Sequence, residues 1–291
     1  MKKHSAFSLI ELSIVVVLVG LLIAAATQGG KIVKQVKLKT ARALTISSPV
    51  ASAADLVVWY ETSLESSFDS TSRVDGTAIA TWYDNNPHTN DFNNATQATS
   101  GYQPKFYENI FNGGIPAIRF DGTDDYMSFD LASLINSNYS IFVVEQKRAA
   151  SSDKYIVGDS SGINYNYVAY YGDSQPGFGH SANHIYYTNS ALAYASPVAR
   201  MHTGIFSTTT GQQYWYNGGI TADASDSSSS AKTAITYATS PRIGSGKNGS
   251  ASNVYFNGDV AEIIVFNRAL RTEERQLIEL YLSKKYAINI I

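Results

Sequence analysis

Carboxylates, imidazoles and phenols are the side chains here that could carry chemistry, since the sequence contains no cysteine and so no thiolate nucleophile, thiolate metal site or disulfide framework. A retaining glycosidase needs two acidic groups about 5 to 5.5 Å apart, which on a strand means alternate residues of one face. Asp259 and Glu262 stand three apart, which on a regular strand puts them on opposite faces, and Glu145 has no alternating acidic neighbour. The sequence therefore predicts no hydrolase and no enzyme. His180 and His184 are four apart, a spacing that holds a metal on a helix. Gly177, Gly179 and Asn183 argue against a helix there, so the expectation is solvent-facing imidazoles, and His88 and His202 are isolated. Asp121, Asp124 and Asp125 in "DGTDD", together with Asp84, Asn85 and Asn86, offer oxygens suited to calcium, which takes about six to eight of them. The competing expectation is a turn at Asp121-Gly122, with the later aspartates capping the next strand through local hydrogen bonds. Beyond that calcium option no cofactor is expected. Tyr165, Tyr167 and Tyr171 are read as one alternating face, and Tyr214 and Tyr216 flank Trp215. Stacked rings of this kind suit sugars, and cross-strand pairing on a β surface explains them equally.

A different kind of chemistry is offered by Glu11. The run "AFSLIELSIVVVLVGLLIAAA", residues 6–26, is long enough to cross a hydrocarbon layer at about 1.5 Å per residue, and Glu11 is its single charge. At the centre of a helix a carboxylate costs about 2.5 to 3.5 kcal/mol on insertion, less near the interface. A secretory signal peptide accounts for the basic Met1 to Lys3 and for the small residues Ala24, Ala25 and Ala26, but Glu11 fits it poorly. A plain membrane anchor accounts for the length and leaves the carboxylate without a partner. The third reading supplies one. "KKHSAFSLIELSIVVVLVGLL" resembles the class III leader of type IV prepilins and pseudopilins, in which a short basic leader ends in Gly or Ala and is followed by Phe and a Leu-Ile-Glu-Leu core.

That resemblance implies a prepilin peptidase that cuts between Ala6 and Phe7 and methylates the new amino terminus. It also implies that Glu11 pairs with the Phe7 amine of a neighbouring subunit during assembly, so that two charges costly in lipid neutralise each other. Ala6 stands where Gly is commoner, and the proline that often breaks the pilin stem is missing. Gly20 and the pair Gly29-Gly30 are the expected weak points, since glycine costs roughly 1 kcal/mol relative to alanine inside a helix.

Periodicity outlines the helix that carries Glu11 and the strands that follow it. Beyond the glycines, Ile32, Val33, Val36, Thr40, Ala43 and Leu44 recur at helical spacing until Pro49. The predicted organisation is a leader over 1–6, a stem helix over 7–48, a linker over 49–54 and a head over 55–291. Up to Ser47 there are seven Lys or Arg against Glu11 alone, so 15 of the 22 basic and 23 of the 24 acidic residues lie beyond it. The basic run from Lys31 to Arg42 suits anionic lipid or acidic neighbours, and its closeness to a membrane segment argues against nucleic acid.

From Asp55 onward, short apolar runs such as "DLVVWY", "SIFVVEQ" and "AEIIVFN" alternate with turn residues and read as strands. "RTEERQLIELYLSKKY" reads as a closing helix, and "TADASDSSSSAK" as a flexible polar loop. The expected fold is mainly β: a long N-terminal helical stem, then a two-sheet antiparallel jelly-roll sandwich ending in a C-terminal helix. "RFDGTDDY" and "AEIIVFNRAL" running into the last helix are among the landmarks that resemble a concanavalin A-like, laminin-G-like domain. Together the two resemblances imply a pilin-like or pseudopilin subunit, single-pass in the bacterial inner membrane and then part of a periplasmic or extracellular filament. Its partners would be prepilin peptidase and other pilin or pseudopilin subunits. The alternative is a membrane-anchored or surface adhesin or lectin that binds surface glycans.

Overall fold

The computed structural model describes residues 9–150, 154–159, 167–180, 183–236, 238, 240–247 and 253–290; the side chains of 9–14, 21, 24–27, 247 and 253 are also outside the described set. Helix α1 (Leu9–Ile46) is a single run of 38 residues, about 57 Å long at 1.5 Å per residue. It passes through Gly20, Gly29 and Gly30 unbroken, because a cost near 1 kcal/mol per glycine does not interrupt a helix that lacks proline. Proline is what stops it. The residue before a proline avoids the helical region, and Ser48 is extended (φ −71°, ψ 153°) ahead of a 3-10 turn over Pro49–Ser52.

The first nine strands are β1 (Leu56–Glu61), β2 (Thr81–Trp82), β3 (Ala95–Thr96), β4 (Lys105–Phe111), β5 (Ile115–Asp121), β6 (Met127–Ser128), β7 (Tyr139–Lys147), β8 (Lys154–Asp159) and β9 (Val168–Gly172). After them come β10 (Gln175–His180), β11 (Asn183–Tyr186), β12 (Arg200–Ser207), β13 (Gly211–Tyr216), β14 (Ala224–Asp226), β15 (Pro241–Ile243), β16 (Ser245–Lys247), β17 (Asn253–Tyr255) and β18 (Asn257–Phe266). Helix α2 (Thr272–Tyr286) closes the chain.

Among the described residues, two eight-stranded antiparallel sheets face each other. The first runs β14-β13-β12-β7-β18-β5-β4 with β1 also on β18, the second runs β11-β10-β9-β8-β15-β6-β3-β2, and β16 and β17 form a separate pair. The sheet that carries β18 shares that strand's long edge between two partners: β5 pairs with Asn257–Val260 and β1 with Glu262–Phe266. At the changeover the register on β7 slips between Val260 and Glu262, a β-bulge that turns two consecutive residues to one face.

One core lies between the sheets and includes Val58, Ile118, Ile141, Ile156, Phe178 and Ile263. A second lies on the outer face of the first sheet, where Trp59, Phe142, Ile264 and Phe266 meet Ile278, Tyr281 and Leu282 of α2 and Ala41 of α1. The first sheet is thus covered on both faces, and all nine residues of β7 are buried. This is the predicted architecture of stem, two-sheet antiparallel sandwich and closing helix. The polar segment "TADASDSSSSAK", expected as a flexible loop, contains β14 and a 3-10 turn over Ser230–Lys232, and Ala231 is fully buried.

Candidate functional site

Ala6 and Phe7 lie outside the described residues, and Glu11 falls within the backbone of α1 while its side chain is outside the described set. Past Glu11 the helix surface is apolar and uncovered: Val15 to Val19, Leu22 and Ile23 are 48–70% exposed. Among the described residues no helix is long and apolar enough to cross a membrane.

The upper end of α1 is held by the head. A hairpin joins β4 to β5 over residues 112–114 and opens with Asn112 and Gly113, whose positive φ values of 47° and 67° are those an Asn-Gly turn adopts. The next residue, Gly114, lies so close to the stem that a Cβ there would come 2.6 Å from the Lys37 Cβ and 2.9 Å from the Lys34 carbonyl oxygen. Asn112 holds both helices at once, receiving Lys37 Nζ at 3.5 Å and donating to the Lys285 carbonyl at 3.3 Å. Further along, Arg42 donates to the Ser63 carbonyl at 2.7 Å and pairs with Glu65 at 2.8 Å. Ala41 and Thr45 are buried, and Thr45 Oγ1 lies 3.3 Å from Tyr281 Oη.

Beneath that contact lies a buried ion cluster. Lys285 of α2 reaches Glu61 of β1 at 2.9 Å and Glu262 of β18 at 2.8 Å, all three at most 1% exposed. Trp59 Nε1, Tyr281 Oη and Tyr286 Oη also donate to Glu262, at 2.7, 2.8 and 2.7 Å. Burial raises the Glu61 carboxyl, but the Lys285 ammonium and donors from Ser63 and the Leu64 amide outweigh it and hold the group below its ordinary range. Burial lowers Lys285, and the two glutamates overcome it and hold the ammonium above its ordinary value. The bulge in β18 makes this possible. It places Glu262 beside Ala261 on the helix-covered face, the face that Asp259 also shares by alternation, which corrects the expectation of opposite faces. Asp259 is occupied there by Arg119 at 2.6 Å and Gln146 at 2.8 Å.

His184 is exposed as expected, whereas His180, His202 and several tyrosines depart from expectation. His180 is buried rather than solvent-facing: its Nε2–H donates to the Thr233 carbonyl, its Nδ1 accepts from Tyr139 at 2.8 Å, and burial pushes it down to about 4. His202 is not isolated. It donates to Glu145 at 3.0 Å and accepts from Tyr214 at 2.7 Å, while Tyr170 donates to the same Glu145 oxygen at 2.7 Å and receives Arg200 at 3.1 Å. Tyr214 and Tyr216 share a face as predicted, but it is the one between the sheets, and both are buried. Tyr167 is also in that core, edge-on to Tyr139 at 6.0 Å. Tyr171 is on the outside, stacked on His184 at 4.3 Å, so Tyr167 and Tyr171 do not form one platform. Tyr165 lies outside the described residues.

Asp121, Asp124 and Asp125 bring one carboxylate oxygen each within 4.8 Å of one another. Asp121 Oδ1 accepts the amides of Thr123 and Asp124, at 2.7 and 3.3 Å, and Asp125 Oδ2 accepts that of Asp121 at 3.0 Å. These bonds cap the turn, and burial together with the neighbouring Asp121 pushes Asp125 up to about 6. Three such atoms are about half of what calcium takes.

Sequence reasoning missed the residues that join stem to head. Asn112-Gly113 carried a local signal, the hairpin dipeptide between two apolar runs. Lys285, Glu61 and Glu262 carried none, because their meeting depends on strand order and on the bulge.

Among known proteins, the amino terminus has a family match: residues 1–27 fit the prokaryotic N-terminal methylation motif. No curated protein matches the chain. Among solved structures, Trypanosoma rangeli sialidase in complex with sialic acid is 15% identical with a TM-score of 0.46, over 80% of this chain and 33% of that one. The chain thus spans about a third of the length of the sialidase chain it resembles. Domain 4 of a GH43 extracellular arabinanase from Geobacillus stearothermophilus, in complex with arabinotriose, is 14% identical with a TM-score of 0.48, over 78% of this chain and 98% of that one. At its amino terminus, then, the chain carries the prokaryotic methylation motif, continuous with a long helix docked on a β-sandwich.

Proposed function

We propose that the chain is a pilin-like or pseudopilin subunit. Its apolar stem stands in the bacterial inner membrane as a single pass, a prepilin peptidase cuts before Phe7 and methylates it, and the stem then packs against those of other subunits in a filament. The head, read as concanavalin A-like, is displayed in the periplasm or outside the cell. One observation carries this: the methylation motif over 1–27 runs directly into a helix whose apolar residues Val15 to Val19, Leu22 and Ile23 are uncovered by the chain itself. Burying seven such side chains is worth on the order of 10 to 20 kcal/mol at about 1.5 to 3 kcal/mol each, so lipid or neighbouring stems must cover them. Glu11 is the assembly handle, neutralised in the filament by the methylated amine of an adjacent Phe7. Glycan binding has lost Tyr167, Tyr214 and Tyr216 to the core.

The test is the mass of the native mature N-terminus. The expected chain begins at methylated Phe7; one that retains Met1, or begins after Ala26, overturns the reading. Glu11→Ala is expected to abolish incorporation into filaments while leaving the cleaved protein in the membrane, and wild-type incorporation would remove the charge-pair mechanism.

A further inference from the structure

We propose that the cleft between stem and head binds the headgroup of one anionic phospholipid. The inference rests on the proposed function, in which the stem stands in the membrane. The cleft has a volume of about 490 Å³ and is walled by Lys31, Lys34, Leu38 and Arg42 of α1 and by Arg73 and Phe106 of the head. Four cations line it against one carboxylate, that of Glu108. Arg42 and Arg73 share Glu65, at 2.8 and 3.7 Å. Lys31 and Lys34 have no carboxylate within 4.0 Å among the described residues. Two unpaired ammonium groups beside an apolar floor of Leu38 and Phe106 match a phosphodiester with its glycerol and first methylenes.

Height along the helix selects the lipid over other anions. Lys31 lies five residues past Ala26, the end of the apolar run, which is about 7.5 Å along the axis at 1.5 Å per residue. The polar layer adds roughly 5 to 7 Å to each side of the hydrocarbon. With the apolar run in the hydrocarbon, Lys31 meets the phosphates and Lys34 stands one turn above them, inside a walled cleft. An acidic surface of a second copy would be met as readily by Lys39, which is exposed and lies outside the cleft.

The experiment is native mass spectrometry of the full chain, co-expressed with a prepilin peptidase and released from micelles holding equal phosphatidylglycerol and phosphatidylcholine. The expected result is one retained phosphatidylglycerol per chain. At roughly fivefold per lysine, retention falls about 25-fold in the Lys31→Gln/Lys34→Gln double variant and is unchanged in Lys39→Gln. Equal retention of the two lipids, retention unaffected by the double variant, displacement of the lipid by inorganic phosphate at matched concentration, or a second copy bound in place of lipid would each overturn it. The same spectra report the N-terminal mass. A chain beginning at methylated Phe7 that retains no lipid sinks the cleft alone, whereas a chain that still carries Met1 sinks the stem reading.

Discussion

At the scale of single residues, the most consequential side chain in the head is Lys285. Two carboxylates, Glu61 and Glu262, share it, and nothing else with a positive charge contacts either of them among the described residues. Lys285→Met removes the ammonium and leaves two uncompensated buried acids, a change that typically costs about 3 to 5 kcal/mol. Urea unfolding monitored by tryptophan fluorescence measures this; a loss under about 1 kcal/mol would show that the cluster is not held by charge. The pH dependence comes from the shifts. Glu61 is held below its ordinary 4.5, so its contribution is present above that value and lost as pH falls through the lowered one. Lys285 is held above its ordinary 10.5, so its contribution is present below that value and lost as pH rises through the raised one. Wild-type stability should therefore be flat across the neutral range with respect to this cluster, and the variant should gain relative to wild type at both extremes. Little of this was legible. Glu145, Lys147, Arg200, His202, Tyr214 and Tyr216 alternate correctly on three strands, yet a polar residue at alternate positions reads as surface until strand order places β7, β12 and β13 side by side beneath a second sheet.

At the scale of elements, the contact between the β4–β5 hairpin and α1 is what fixes the stem relative to the sandwich. Gly114 permits it, since a methyl group there meets both a stem side chain and a stem carbonyl. Gly114→Ala should push the helix off the hairpin at a cost of about 1 to 3 kcal/mol, the usual range for overpacking. Hydrogen exchange is the direct reading: amides of residues 34–46 should lose protection while those of β7 and β18 keep theirs, and an unchanged pattern would mean the contact is incidental. The helices and the strand-rich head were legible because each rests on local signals, periodicity up to Pro49 and turn residues between apolar runs. The faces were not. A strand such as β7, buried along its whole length, is uniformly apolar over Ile141–Val144 and does not show there which face meets which core, and one bulge in β18 reverses the parity of Glu262.

At the scale of the whole molecule, the chain divides by packing at about Lys37 rather than at Pro49. Below it the described side chains of the stem are exposed; above it Ala41, Thr45, Ser48 and Val50 are buried against the head. The last turns of α1 thus belong to the second core, and the free stem begins where the hairpin lets go. Two truncated chains test this. One that begins at Lys37 keeps the Arg42 bonds to Ser63 and Glu65 and the Thr45 contact with Tyr281, and without the apolar run it should be soluble and monomeric. One that begins at Pro49 loses those bonds, bares the outer face of β5 and opens one side of the Lys285 cluster to water. The difference should be about 2 to 4 kcal/mol, or roughly 5 to 15 °C in thermal midpoint for a domain of this size. Equal midpoints by circular dichroism would mean that the helix end merely rests on the head. A large difference would mean that stem and head move as one body, so that in the proposed filament a rotation of the stem is delivered undiminished to the sandwich.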